Sequence, residues 1–437
     1  MSAIEDCLVP FCKGPHQFLL DRARTHGPVA LYRLNDEVFA SVSDPAIAHF
    51  VLQSGMDDFE KGPILDVVRA IFGYGIFSAD RDDWTMQAKA IAPMFARHRL
   101  RQLGDMIHAH TDRQLDRWRS TGDAGDATVM IALKRLAFDV VAISLLSLHD
   151  EGHRAALFDA LYHLDRLPMV SVGYLGKLLP LQQLAGVVSS APGTSTARLA
   201  ETNAIVYAIV DQRLAATEQA DDVIGALLAS PAISALPLER RRLLLRDEIV
   251  SMLTAGYAST GESMFWALYH LARHPDVQGR ARAEVLTVDG PLTEPPPYLA
   301  AVINESLRLY PAAWYMGRTT RKPMQLGGVE IPVGTQVLCS PFILHRQPEL
   351  WPDPHTFSPE RFLPGATIIP RSFMPFGTGA RGCVGRALAM MEITSLLSGV
   401  LTAFELEMAE APPTVTLKGT FSLQPRERIS LRFRTRS

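Results

Sequence analysis

Apolar residues recur at spacings of three and four through Pro45 to Leu52, Leu103 to Trp118, Ala132 to Leu148, Thr196 to Ala216 and Arg240 to Ala272, which predicts helices in each stretch. The last is long. Roughly thirty residues at a rise of 1.5 Å would run about 45 Å, enough to cross a domain, and His274-Pro275 supplies its stop. The proline-rich segment Pro291 to Pro297 leads into a shorter helix, Tyr298 to Tyr310, ended by Pro311. Beyond it the texture changes to strand-like pieces: Met324 to Ile331 around Gly327-Gly328, Thr335 to Pro341, Thr414 to Lys418 and Ile429 to Phe433. Near the N-terminus, Val29 to Leu34 and Val38 to Val42 alternate about Asn35-Asp36, a hairpin signal. The expectation is a mainly α protein with a small β region (α+β) drawn from both ends of the chain.

Composition narrows the class. No repeat, low-complexity tract or Gly/Ser linker divides the 437 residues, so residues 1–437 read as a single domain. Lys and Arg number 43 against 46 Asp and Glu, a net charge of -3, which gives no footprint for binding nucleic acid. Hydrophobic residues at 47% and charged residues at 20% argue for a folded chain. The four cysteines (Cys7, Cys12, Cys339, Cys383) are too sparse for a disulfide framework and suit a reducing compartment. Glu5, Asp6, Pro10 and Lys13 interrupt any signal-peptide pattern, and no apolar run reaches the ~20 residues that a membrane span needs. A soluble cytoplasmic protein without a membrane anchor is expected.

Chemistry concentrates in Phe376-Gly-Thr-Gly-Ala-Arg-Gly-Cys383-Val-Gly385, which opens the helical run Arg386 to Glu392. A lone cysteine in a glycine-rich turn at a helix N-terminus is set among backbone N–H groups that favour a thiolate. Gly377-x-Gly379-x-x-Gly382 also matches a dinucleotide fingerprint, but Pro375 spoils the preceding strand and no acid follows at the required distance. A Cys-His nucleophile is a third reading, with no local support beyond the loop.

The full Phe-x-x-Gly-x-Arg-x-Cys-x-Gly spacing resembles the haem-binding signature of the cytochrome P450 superfamily, in its soluble bacterial type. The resemblance implies a triangular helical prism with the long helix lying over the haem, Cys383 as the axial iron ligand, Phe376 and Gly385 against the cofactor, and Arg381 on a haem propionate. Other features stand in the family's order: Glu305-Ser-Leu-Arg308 and Arg361 of Pro359-Glu-Arg361-Phe362, implying a buried structural triad; Arg318, implying a second propionate contact; and Trp84, implying an indole N–H to a propionate. The basic residue usual four positions after Trp84 is here Ala88, followed by Lys89. With no Cys-x-x-Cys-His, the cofactor would be non-covalent haem b.

In the long helix, Ala255-Gly256-Tyr257-Ala258-Ser259-Thr260-Gly-Glu262 aligns with the family's oxygen-binding segment, Gly256 making room for O2, with Ala258 at the usual acid position and Ser259 at the usual alcohol. Oxygen activation needs proton delivery, so Ser259 with ordered water, neighboured by Thr260 and fed by Glu262, is the expected catalytic relay. The family's pocket positions hold Phe72, Tyr74, Phe77, Met169, Tyr174, Tyr257, Ala258, Trp314, Tyr315, Met316 and Phe421, which suits a lipophilic substrate. The resemblance further implies a monomer drawing electrons from NAD(P)H through a separate ferredoxin or flavodoxin and its reductase. Lys89, Arg97, His98, Arg99, Arg101 and Arg386 offer a basic docking face. Oxygenation of a small molecule, such as a terpenoid, is the leading reading. Peroxide-driven or isomerase/dehydratase chemistry, favoured by Ala258, and a haem sensor stand beside it.

Overall fold

In the computed structural model, which describes residues 4–62, 65–121, 126–165, 195–410, 414–419 and 422–436, the N-terminal alternation forms a hairpin. Strands β1 (Val29–Leu34) and β2 (Glu37–Val42) pair antiparallel with Leu34 opposite Glu37, and Asn35 takes the left-handed φ of +56° that the tight turn requires. The C-terminal half completes the sheet. β2 runs parallel to β7 (Gln336–Cys339), β4 (Met316–Thr320) is antiparallel to β7, and the two-residue β3 (Phe59–Glu60) closes the order β1-β2-β7-β4-β3. A hairpin of β5 (Met324–Leu326) and β6 (Val329–Ile331) turns at Gly327 and Gly328, as their positive φ values allow.

Helices α1 (Pro15–His26), α2 (Arg81–Ile91), α3 (Gly104–Thr121), α4 (Asp126–Leu146), α5 (Glu151–Asp165), α6 (Ser195–Ala215), α7 (Leu238–Arg273), α8 (Pro275–Val285), α9 (Pro297–Leu309) and α10 (Arg386–Ala403) make up most of the rest. The α+β expectation is met. At 36 residues, α7 exceeds the length read from the sequence, and His274 leaves the helix with φ -128° and ψ 79° ahead of Pro275. From Leu244 onward nearly every side chain of α7 is buried, the signature of a helix enclosed on all sides. Its N-terminal half joins a core with α4, α5 and α6, while its C-terminal half joins a second core with α8, α9 and α10. Helix α10 is apolar and long enough to cross a membrane by composition, but it is a core helix: Leu396, Leu397, Val400 and Leu401 are fully enclosed.

Two local readings change. The helix expected over Pro45 to Leu52 is α-helical only over Pro45–His49 and widens to a π turn at Phe50–Ser54. The sequence reading also missed β8 (Phe404–Glu410), which pairs with β11 (Ser430–Thr435). Phe404 and Leu406 point inward while Glu405 and Glu407 carry the outer face, but this alternation starts directly at the end of α10 and is masked by the helical period before it. The expected strand at Thr414 to Lys418 shortens to β9 (Leu417–Gly419), paired with β10 (Leu423–Pro425).

Candidate active site

The cysteine loop is shaped by its glycines. Gly377 and Gly379 have φ of +69° and +74°, and a Cβ on Gly379 would lie 2.8 Å from the Leu52 carbonyl oxygen. Cys383 N donates to Phe376 O (2.9 Å) and Gly382 N to Gly379 O (3.0 Å), which brings the cysteine back beside Phe376 before α10 begins. Cys383 is accessible, yet the surrounding protein pushes its thiol up from the ordinary value. The amides of Gly385 and Arg386 and the Arg386 charge oppose this without prevailing. A metal ion on the sulfur would favour the thiolate.

Two guanidiniums belong to the same region. Arg381 lies 4.1 Å over the Trp84 ring and donates to Ala79 O (2.9 Å); Arg318, on β4, donates to Gly317 O (2.8 Å). Burial lowers both, and the repulsion of Arg318 adds to burial in taking Arg381 down to about 10. Neither has a carboxylate partner among the described residues. An accessible sulfur and two half-buried cations lacking acids form a donor set that fits an iron porphyrin bearing two carboxylates. Trp84 and Ala88 on α2 are half-buried and Lys89 is exposed, so the usual basic position of that helix supplies no charge.

Behind the loop, Glu305 and Arg308 form a bidentate pair with no exposure (Nε–Oε2 2.7 Å, Nη2–Oε1 2.8 Å), and Arg361 Nε approaches Glu305 Oε1 at 3.4 Å. The charges are fully engaged: Arg308 also donates to His345 O, Pro354 O and Thr356 O, and Glu305 accepts from Ser358 N. This satisfies the condition under which a buried pair is tolerated. His345, which sequence reasoning missed, carries the connection onward. Its Nδ1 lies 3.1 Å from Arg308 O and its Nε2 accepts from Met374 N (3.0 Å), two residues before Phe376. Burial takes this imidazole down to about 3, so it is neutral, with Nδ1 donating. Among 13 histidines, the sequence carries no signal that marks this one.

On α7, Ala255, Gly256 and Ser259 are partly exposed while Tyr257, Ala258 and Thr260 are buried. Ser259 Oγ donates to Ala255 O (2.7 Å), one turn back on the same face. The other distal readings need correction. A Cβ on Gly256 would lie 2.6 Å from Val141 Cγ2, so its missing side chain serves the close approach of α4. Glu262 is closed off: Lys134 Nζ stands 2.8 Å from its Oε1, Gln424 donates to the same oxygen (2.6 Å), and it has no exposure with which to feed Ser259. Thr260 is buried away from the Ala255–Ser259 face.

The aromatic wall also disperses. Tyr257 is core, edge-on to Phe138 and Phe158, and Ala258, Phe72 and Trp314 are core as well. These side chains fill helix and strand contacts, leaving Tyr74 (46% exposed), Phe77 (37%) and the half-buried Tyr315 and Met316 as the accessible candidates. Phe421, Met169 and Tyr174 lie outside the described residues. On the basic face, Arg97 pairs with Glu294 and Arg99 with Asp221, which leaves less unpaired charge there than the sequence suggested.

The sequence model of the family described as Cytochrome P450 matches residues 7–433. Cyclooctatin synthase of Streptomyces melanosporofaciens is 29% identical over 429 residues, covering 96% of this chain and 89% of that protein. Cyclooctat-9-en-7-ol 5-monooxygenase of the same organism is 28% identical, with 90% and 85% covered, and the chloroplastic carotene epsilon-monooxygenase of Arabidopsis thaliana is 29% identical, with 88% and 75% covered. With a match running from the first helix to the last strand, the chain belongs to the cytochrome P450 family and is an oxidoreductase of the monooxygenase class.

Proposed function

We propose that this monooxygenase oxygenates a lipophilic terpenoid-type small molecule, with residues 1–437 acting as one haem domain. The observation that carries the substrate class is the similarity to two proteins whose names specify such compounds, cyclooctat-9-en-7-ol and carotene. Cys383 holds the iron, and Arg318, Arg381 and Trp84 hold the propionates. The haem, when bound, supplies reductive activation of O2, placing one oxygen atom in the substrate and the other in water. Electrons come from NAD(P)H through a separate ferredoxin or flavodoxin and its reductase.

The chain's own contribution to proton delivery is Ser259. Its hydroxyl donates to Ala255 O and has lone pairs left to accept from a water, whereas Ala258 has no polar atom and Glu262 is engaged with Lys134. That thin relay favours a second reading, in which hydrogen peroxide replaces O2 and external electrons. Incubation of the reduced system with polycyclic terpene alcohols, carotenes and fatty acids under 18O2 tests the proposal. Terpenoid products gaining one labelled oxygen support it; turnover of fatty acids alone refutes the substrate class, and turnover with peroxide only selects the second reading.

A further inference from the structure

Three consecutive carbonyls of one loop are taken by three cations from separate segments. Lys61 Nζ donates to Phe77 O (2.7 Å), Arg69 Nε and Nη2 donate to Ser78 O (3.2 and 3.1 Å), and Arg381 Nη1 donates to Ala79 O (2.9 Å). A fourth cation, Arg318, lies close enough for its charge to act on Lys61. β3 pairs with β4 as Phe59 opposite Thr320 and Glu60 opposite Thr319, so Lys61 leaves β3 toward the end of β4 that carries Arg318. The chain then turns at Gly62, with φ +71°, where a Cβ would run into Thr319 Oγ1. The position of Lys61 is therefore set by backbone pairing on one side and by the turn on the other.

Charge within this group does not balance. Arg69 has its acids, Asp66 (3.1 Å) and Asp80 (2.6 Å). Lys61, Arg318 and Arg381 have none within salt-bridge distance among the described residues. Burial and then the charges of Arg318, Arg381 and Arg69 push the Lys61 ammonium well below its ordinary range, so holding this cation among the others carries a cost. Two carboxylates would offset that cost, and Lys61 keeps two of its three N–H donors for them. The helix of Trp84 meanwhile presents Ala88 where the sequence pattern leads one to expect a base.

We infer that Lys61 is a haem-propionate-binding residue that stands in for the missing base at Ala88, an inference that rests on the haem reading above. The test is transfer of haem from the purified holoprotein to excess apomyoglobin. Lys61→Met is expected to accelerate transfer about tenfold or more, the scale of a lost charge-assisted hydrogen bond, and Lys61→Arg to stay within about threefold of wild type. Because the substitution removes an uncompensated cation, the haem-free Lys61→Met chain should melt no lower than the haem-free wild type. A purely structural Lys61–Phe77 contact predicts the reverse. The reduction potential of the variant should shift to more negative values as positive charge leaves the propionates, and Ala88→Arg placed in the Lys61→Met background should restore retention. Wild-type transfer rates in Lys61→Met, or a lower-melting haem-free variant with unchanged retention, would overturn the assignment. A wild-type chain that takes up no haem would instead overturn the haem reading itself.

Discussion

His345 spends both ring nitrogens on backbone, one toward Arg308 O and one on Met374 N, and so ties the Glu305–Arg308 pair to the cysteine loop in the neutral form only. Its pKa is depressed by burial to about 3, and that of His16 to about 4, against about 6.5 when unfolded. Between these values the unfolded chain binds more protons than the folded one, so stability falls as pH drops from about 6.5 toward 3. Thermal melts from pH 7 to pH 4 should show that fall, and His345→Gln should flatten it while losing about 1–3 kcal/mol at pH 7. An unchanged slope would refute the role of the neutral imidazole. Ser259→Ala makes a separate residue-scale prediction: more hydrogen peroxide released per NAD(P)H consumed, read as oxygen uptake against product, whereas unchanged coupling would remove Ser259 from the relay. Residues declared by tight local spacing, such as Cys383 with Arg381 or Glu305 with Arg308, were legible in the sequence. Lys61 and His345 were not, nor were Asp247 and Glu248, whose carboxylates accept from Tyr74 N and Ile76 N across more than 170 residues. Their partners are set by tertiary contact and leave no mark along the chain.

Elements were legible where one period persists, as in α7 and α4, and illegible where one period runs into another, as at α10 and β8. What the helical pattern did not reveal was which neighbour covers each face. Gly256 and Glu262 were assigned to the oxygen-binding side because they sit in the matching motif. The structure turns both toward α4, where Val141 and Lys134 meet them. Substituting Gly256 with Ala should gain about 1 kcal/mol in helix propensity but lose about 1–3 kcal/mol to overpacking against the stiff Val141 side chain, for a net loss. Val141→Ala in the same chain should relieve the contact, so a double-mutant cycle of melting free energies should show favourable coupling between the two changes. Additive effects would mean that α4 and α7 do not set each other's spacing here.

Across the whole molecule, the five-stranded sheet explains how residues from both ends of the chain reach one place. β3 pairs with β4 and leads into Lys61, on which the Arg318 charge acts, while Lys61 and Arg381 donate to Phe77 O and Ala79 O of one loop. The mixed α+β texture and the pairing of the two ends were readable from where each period occurs. The strand order was not, because parallel pairing of β2 with β7 joins segments about 300 residues apart with no sequence signal of their own. The same convergence makes Cys383 the point on which the functional account rests, since the proposed function has its sulfur hold the haem iron as a thiolate. The carbon monoxide difference spectrum of the reduced holoprotein tests this most directly. The account predicts the red-shifted band of thiolate-ligated haem, lost in Cys383→His; a wild-type band at the position of histidine-ligated haem, or no haem band at all, would contradict it.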